Sequence, residues 1–167
     1  FTGISAANPL NSIRTLLVKN KVTGRTPRRF NVPLFEKNKP PVLTFSDTHI
    51  IRDTRVFDQP VSITPGTKFL MSKGASLIFR GQVIIQGTDP EPVSISALNP
   101  KQPWGVVAFS GQQAAGSRAS HLKLSGGSGT RLGNTHYVAM LSVHDTTDIK
   151  FDNLDLSKNY NFDDMMH

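Results

Sequence analysis

From residue 42 onward, apolar residues come in runs of three to five, and a glycine or proline turn closes most of them. The runs include Val42-Leu43-Thr44-Phe45, His49-Ile50-Ile51, Val61-Ser62-Ile63, Lys68-Phe69-Leu70-Met71, Ser76-Leu77-Ile78-Phe79, Gln82-Val83-Ile84-Ile85 and Val93-Ser94-Ile95. Gly66, Gly74, Gly81 and Gly87 follow one another at intervals of 8, 7 and 6. A helix needs ten or more residues of continuous periodicity, and these runs are too short for one. Hairpin strands of ordinary length do not fit either. No Asn-Gly or Asp-Gly pair marks a tight hairpin.

The later half keeps the texture. Val106-Val107-Ala108-Phe109 follows Trp104-Gly105, and His121-Leu122-Lys123-Leu124 precedes the loop Gly126-Gly127-Ser128-Gly129. The stretch DIKFDNLDLSKN places Ile149, Phe151, Leu154 and Leu156 on one side and charges on the other, with a bend expected at Asn153. Three short strands per period of some twenty residues predict a solenoid. One coil cannot bury its apolar side alone, so stacking must supply the core.

The Pro65-Gly66-Thr67 turn leads into Gly81-x-x-x-x-x-Gly87-Thr88, then Pro92-Val93-x-Ile95, then Trp104-Gly105-Val106-Val107. This phrase resembles one found in right-handed parallel β-helices of the pectate-lyase-like architecture, in bacterial surface and secreted proteins. The resemblance covers residues 42–167. It implies an all-β, right-handed parallel β-helix solenoid and carries no chemistry of its own. A β-sandwich or jelly roll is the alternative architecture.

The first 41 residues read differently. In NPLNSIRTLLVK, residues 8–19, Leu10, Ile13, Leu16 and Leu17 recur at helical spacing, behind Asn8 and Pro9. A short helix there is expected to cap the first rung of 42–167, with 20–41 as a basic connector. Solenoid ends need such caps. No cap is visible at the other end, so the chain is expected to continue beyond His167 or to pair there with another chain or copy. The start at Phe1, without a secretory leader in positions 1–20, suggests a mature or cut product.

Composition removes several function classes. There is no cysteine, which excludes disulfides, cysteine zinc sites, iron–sulfur clusters and thiol catalysis. No apolar run approaches the ~20 residues of a membrane span. The net charge of +7 sits wholly in residues 1–39, and the remainder balances to zero with an acidic end. The basic stretch 14–39 has only Phe30 and Phe35 among it, so base stacking and specific nucleic-acid binding are not expected.

Candidate chemistry concentrates near the end of the chain. Paired carboxylates can divide acid and base roles, which makes Asp163 and Asp164, with His144 and His167, the candidate catalytic set. β-helix glycosidases use an Asp-Asp pair, but their Asn-Thr-Asp, Gly-His-Gly and Arg-Ile-Lys motifs are missing here. Adjacent strand residues also face opposite ways. Asp145, Asp148, Asp152 and Asp155, with His144, could offer oxygen ligands to Ca²⁺, although no GGxGxDx repeat occurs; no metal site is assigned. A Gly-x-Ser-x-Gly elbow is absent, and Gly126–Gly129 lacks a following lysine. Trp104, Tyr137, Arg28 and Arg29 are the candidates for contact with carbohydrate or another partner.

The leading expectation is a β-helix segment of a larger bacterial surface or secreted protein, extracellular or at the cell surface. It would bind carbohydrate or another large partner without a complete catalytic site. A polysaccharide lyase or glycoside hydrolase is the second reading, and a self-assembling structural module the third.

Overall fold

The computed structural model describes residues 40–160 and 164–167 in full, and the backbone of 13–18 and 28–33. The chain divides into two compact units, Phe1–Lys39 and Pro40–His167.

In the first unit, β1 (Ile13–Val18) pairs antiparallel with β2 (Arg28–Pro33), with Ile13 opposite Pro33 and Val18 opposite Arg28. This corrects the helix expected over 8–19, since residues 13–18 are strand; 8–12 and 19 lie outside the described residues. Ile13, Thr15 and Val18 are β-branched and lose side-chain freedom in a helix. The apolar spacing that suggested a helix is too short to separate the two states. The partner strand decided between them.

The second unit is all-β and mostly parallel. Its strands come in successive courses. The first course is β3 (Leu43–Phe45), β4 (Thr48–Ile51) and β5 (Arg55–Phe57). The second is β6 (Val61–Ile63), β7 (Lys68–Met71) and β8 (Leu77–Phe79). The third is β9 (Val83–Gln86), β10 (Val93–Ala97) and β11 (Val107–Ser110). The fourth is β12 (Arg118–Ser125) and β15 (Leu141–His144), with a hairpin, β13 (Thr130–Leu132) and β14 (Thr135–Tyr137), between them. Last comes β16 (Lys150–Ser157), followed by Met166, which bridges to Leu141.

Each strand pairs in parallel with its counterpart in the next course. Val61 sits between Leu43 and Val83, Phe69 between His49 and Ile95, and Ile78 between Val56 and Ala108. The β12 strand joins two columns: Arg118–Ser120 pair with β9, and Leu122–Ser125 with β10. The β16 strand then follows β12 along its length. Parallel pairing requires a crossover between neighbours, and here the other strands of the same course provide it. The antiparallel ladders of a sandwich or jelly roll are absent from these sheets, and the arrangement is compatible with a β-helix-like fold.

Alternation along each strand sends one set of side chains inward. The inward ladders are apolar: Val61–Val83, Ile63–Ile85–Ala119–Phe151, Phe69–Ile95–Leu124–Leu156 and Leu77–Val107–Leu141. Phe57, Phe79 and Phe109 stack in file, with centroids 5.3 and 5.8 Å apart. Burying each such ring contributes about 1.5–3 kcal/mol. Buried hydroxyls fasten the turns between courses. Ser117 Oγ accepts from Val83 N at 2.8 Å and donates to Ala114 O at 2.6 Å, while Ser76 Oγ accepts from Val106 N at 3.1 Å.

The first course breaks the ladders. His49 and Arg55 occupy the inward positions that Phe69 and Leu77 fill one course later. Among the described residues, β3, β4 and β5 pair on one side only, and so does β16. A second, smaller cluster lies on the opposite face of the β8–β11 sheet. There Tyr137 and Leu132 of the hairpin pack with Ile78, Val106 and Ala108.

Candidate functional site

The aromatic residues expected to meet a ligand are structural. Trp104 is 0% exposed, and its Nε1 donates to Ser125 O at 2.9 Å. Gly127 makes room for it: a Cβ there would lie 2.9 Å from the indole ring. Tyr137 is 5% exposed and belongs to the outer cluster. Both are corrections, because neither presents a ring face to a ligand. The backbones of Arg28 and Arg29 lie in β2, opposite Val18 and Leu17; their side chains lie outside the described residues.

The catalytic candidates divide. His144, at the end of β15, and His167, next to the isolated Met166 bridge, come together with ring centroids 5.7 Å apart, and Tyr137 lies edge-on to His144 at 5.0 Å. The Val143 N–H donates to His167 O at 2.8 Å, which holds the last residues of the chain against β15. His144 Nε2 is buried and unpartnered. Asp163 lies outside the described residues. Asp164 is exposed, and its carbonyl accepts from Asn159 Nδ2 at 2.8 Å.

The acidic series is spread along the surface. Asp148 faces Arg118 at 3.8 Å and Lys150 at 3.7 Å. Asp152 and Asp155 project from β16 opposite Ser120 and Lys123. Among the described residues, no three His, Asp or Glu side chains converge on a metal-sized site.

Sequence reasoning missed a groove of about 400 Å³ on the outer face of the β10–β12–β16 sheet. Ser96, Ser125, Pro100, Lys158 and Tyr160 line it. Ser96, Ser125 and Ser157 stand abreast on three consecutive strands, about 4.8 Å apart from strand to strand. The Ser96 and Ser125 hydroxyls make no hydrogen bond among the described residues. Tyr160 is fixed at both ends: its N–H donates to Gly127 O at 2.8 Å, and its hydroxyl to Pro100 O at 2.8 Å. Lys158 is exposed and held at a φ of 52°. The signal in the sequence was the serine after each apolar pair, in Val93-Ser94-Ile95-Ser96, Leu122-Lys123-Leu124-Ser125 and Leu154-Asp155-Leu156-Ser157. It is legible only once the three are placed in register.

The groove combines a fixed ring, a row of free hydroxyls and a cation. Such a set recognises polar ligands with an apolar face. No protein-family model, curated protein or solved structure compared with the chain matches it.

Proposed function

We propose that residues 42–167 form a right-handed parallel β-helix, a segment of a larger bacterial surface or secreted protein, that binds carbohydrate along its outer face. The parallel columns and inward ladders support the architecture. Right-handedness follows from the strong bias of parallel crossovers. The phrase from Pro65 through Val107 supports the bacterial surface setting by its resemblance.

The groove at Tyr160 carries the binding reading. A half-buried tyrosine, pinned at its hydroxyl, offers one ring face to the apolar side of a sugar. The Ser96 and Ser125 hydroxyls can exchange hydrogen bonds with sugar hydroxyls. Strands repeating about every 4.8 Å suit a linear polymer better than a compact ligand.

The test is isothermal titration of the chain against a panel of neutral and acidic oligosaccharides. Saturable binding is expected, and Tyr160→Ala should weaken it at least tenfold while the β-sheet circular dichroism is retained. No binding to any member of the panel overturns the reading.

A glycoside hydrolase or polysaccharide lyase is the second reading. The observation that favours it is the pairing of His144 and His167 beside a buried, unpartnered Nε2. A buried polar atom without a partner calls for an explanation, and a catalytic role is one. Hydrolysis or β-elimination products, lost in His144→Ala, are its test. End-to-end self-assembly has less support, because Arg55 would be buried beneath any chain stacked on the first course.

A further inference from the structure

We infer that the polymer taken by this outer face is an acidic glycan with a carboxylate on alternate sugars. The inference rests on the carbohydrate-binding reading and narrows it.

The argument begins with charge. Between Gln59 and His144 the only acidic residues are Asp89 and Glu91, against seven lysines and arginines. The middle courses are therefore basic, although the second unit as a whole is balanced. Three lysines fall on the face that holds the groove. Lys68, Ser94 and Lys123 form one outward row on β7, β10 and β12, beside the row Leu70, Ser96 and Ser125. Lys158 follows directly on Ser157, the next serine of that second row. All three lysines are exposed, and none has an ion pair among the described residues. Arg118, by contrast, is engaged with Asp148.

Spacing gives the repeat. Lys68 and Lys123 are two strands apart, about 9–10 Å, which is close to the length of a disaccharide in an extended glycan. The serine row beside them offers hydroxyl partners at every strand, hence at every sugar. Charge on alternate sugars and hydroxyls on each matches both rows. Asp155 stands next beyond Lys123 and closes the cationic row at the last course. The cationic path therefore runs from Lys68 to Lys123 and opens towards Lys158. A nucleic acid is disfavoured, because among the described residues only Tyr160 lines the groove with a ring and single-stranded sites use several rings.

The test uses octasaccharides of hyaluronan, alginate and polygalacturonate, each as the free acid and as its methyl ester, with a twenty-nucleotide oligo-dT as the competing polyanion. Binding is followed by titration on the full chain. Hyaluronan, which carries a carboxylate on alternate sugars, is expected to bind ten or more times more tightly than its own ester, and more tightly than alginate or polygalacturonate, which carry one on every sugar. Raising the salt concentration should weaken that binding, since exposed charges are screened. Lys123→Gln and Lys158→Gln should each weaken it about two- to fivefold, the range of a single exposed ion pair. Lys150→Gln, on the paired cation beside Asp148, should leave it unchanged.

Equal binding of hyaluronan and its ester, or tighter binding of alginate or polygalacturonate than of hyaluronan, overturns this inference and leaves the carbohydrate reading standing. Tighter binding of oligo-dT than of every glycan overturns both. So does the absence of binding to all seven probes.

Discussion

Asn153 Nδ2 lies 3.1 Å from His121 Nε2, across the bend where β12 and β16 turn together. Both residues are in the left-handed region, with φ of 54° and 46°. The two strands bend at the same register position, and the side chains at the bend link the courses. A long strand thus serves two columns without losing its pairing.

Asn153→Ala should remove this link and leave a poorly suited residue at positive φ. The combined cost is about 1–3 kcal/mol, or roughly 3–10 °C in melting temperature. Asn153→Gly keeps the backbone comfortable and loses only the link, so it should cost less. Thermal melts of both variants check the order. An alanine variant as stable as the glycine one sinks the strain argument.

Trp104 fills a space that Gly127 leaves open. Gly127→Ala would drive a Cβ into Met140 Cβ and to 2.9 Å from the indole, and overpacking of this kind costs about 1–3 kcal/mol or more. Pairing it with Met140→Gly, which removes that Cβ, should relieve part of that strain. The double variant is then less destabilised than the sum of the two single changes. Additive losses would show that the collision is absorbed elsewhere.

The hairpin of β13 and β14 is held to the outer face through Tyr137 and Leu132. Tyr137→Ala should loosen it while the inward ladders remain intact. Trypsin should then cut after the exposed Arg131 faster than in the unaltered chain, with amides of β12 still protected from exchange. Protection lost equally in both regions would mean the hairpin belongs to the main cooperative unit.

Arg55 stands at the first-course end of the ladder Leu77–Val107–Leu141. An inward-pointing charge on an unpaired edge discourages another strand from adding there. Arg55→Leu should raise the tendency to self-associate, read as concentration-dependent sedimentation relative to the unaltered chain. An unchanged sedimentation profile argues that the edge is protected by other means.

Much of the second unit was legible in the sequence. Runs of three to five residues between glycine turns gave short strands in register, and DIKFDNLDLSKN showed both its inward residues and the bend at Asn153. His144 and His167, 23 residues apart in sequence, meet with ring centroids 5.7 Å apart. Residues 13–18 were misread because a short apolar run fits either period, and the deciding hydrogen bonds come from residues 28–33. Trp104 and Tyr137 were misread because an aromatic side chain carries no local mark of which way it will face.

The sequence by itself determined the spacing of turns and the alternation of apolar residues, because both are local properties of backbone conformation and side-chain periodicity. It also determined the excess of base over acid between residues 59 and 144. Only the tertiary structure decided what stands beside what. Ser96, Ser125 and Ser157 are about thirty residues apart along the chain and adjacent in space, because parallel pairing matches position within a course and ignores the length of the loops between. The groove at Tyr160, the burial of Trp104 and the row of Lys68 and Lys123 all depend on that register.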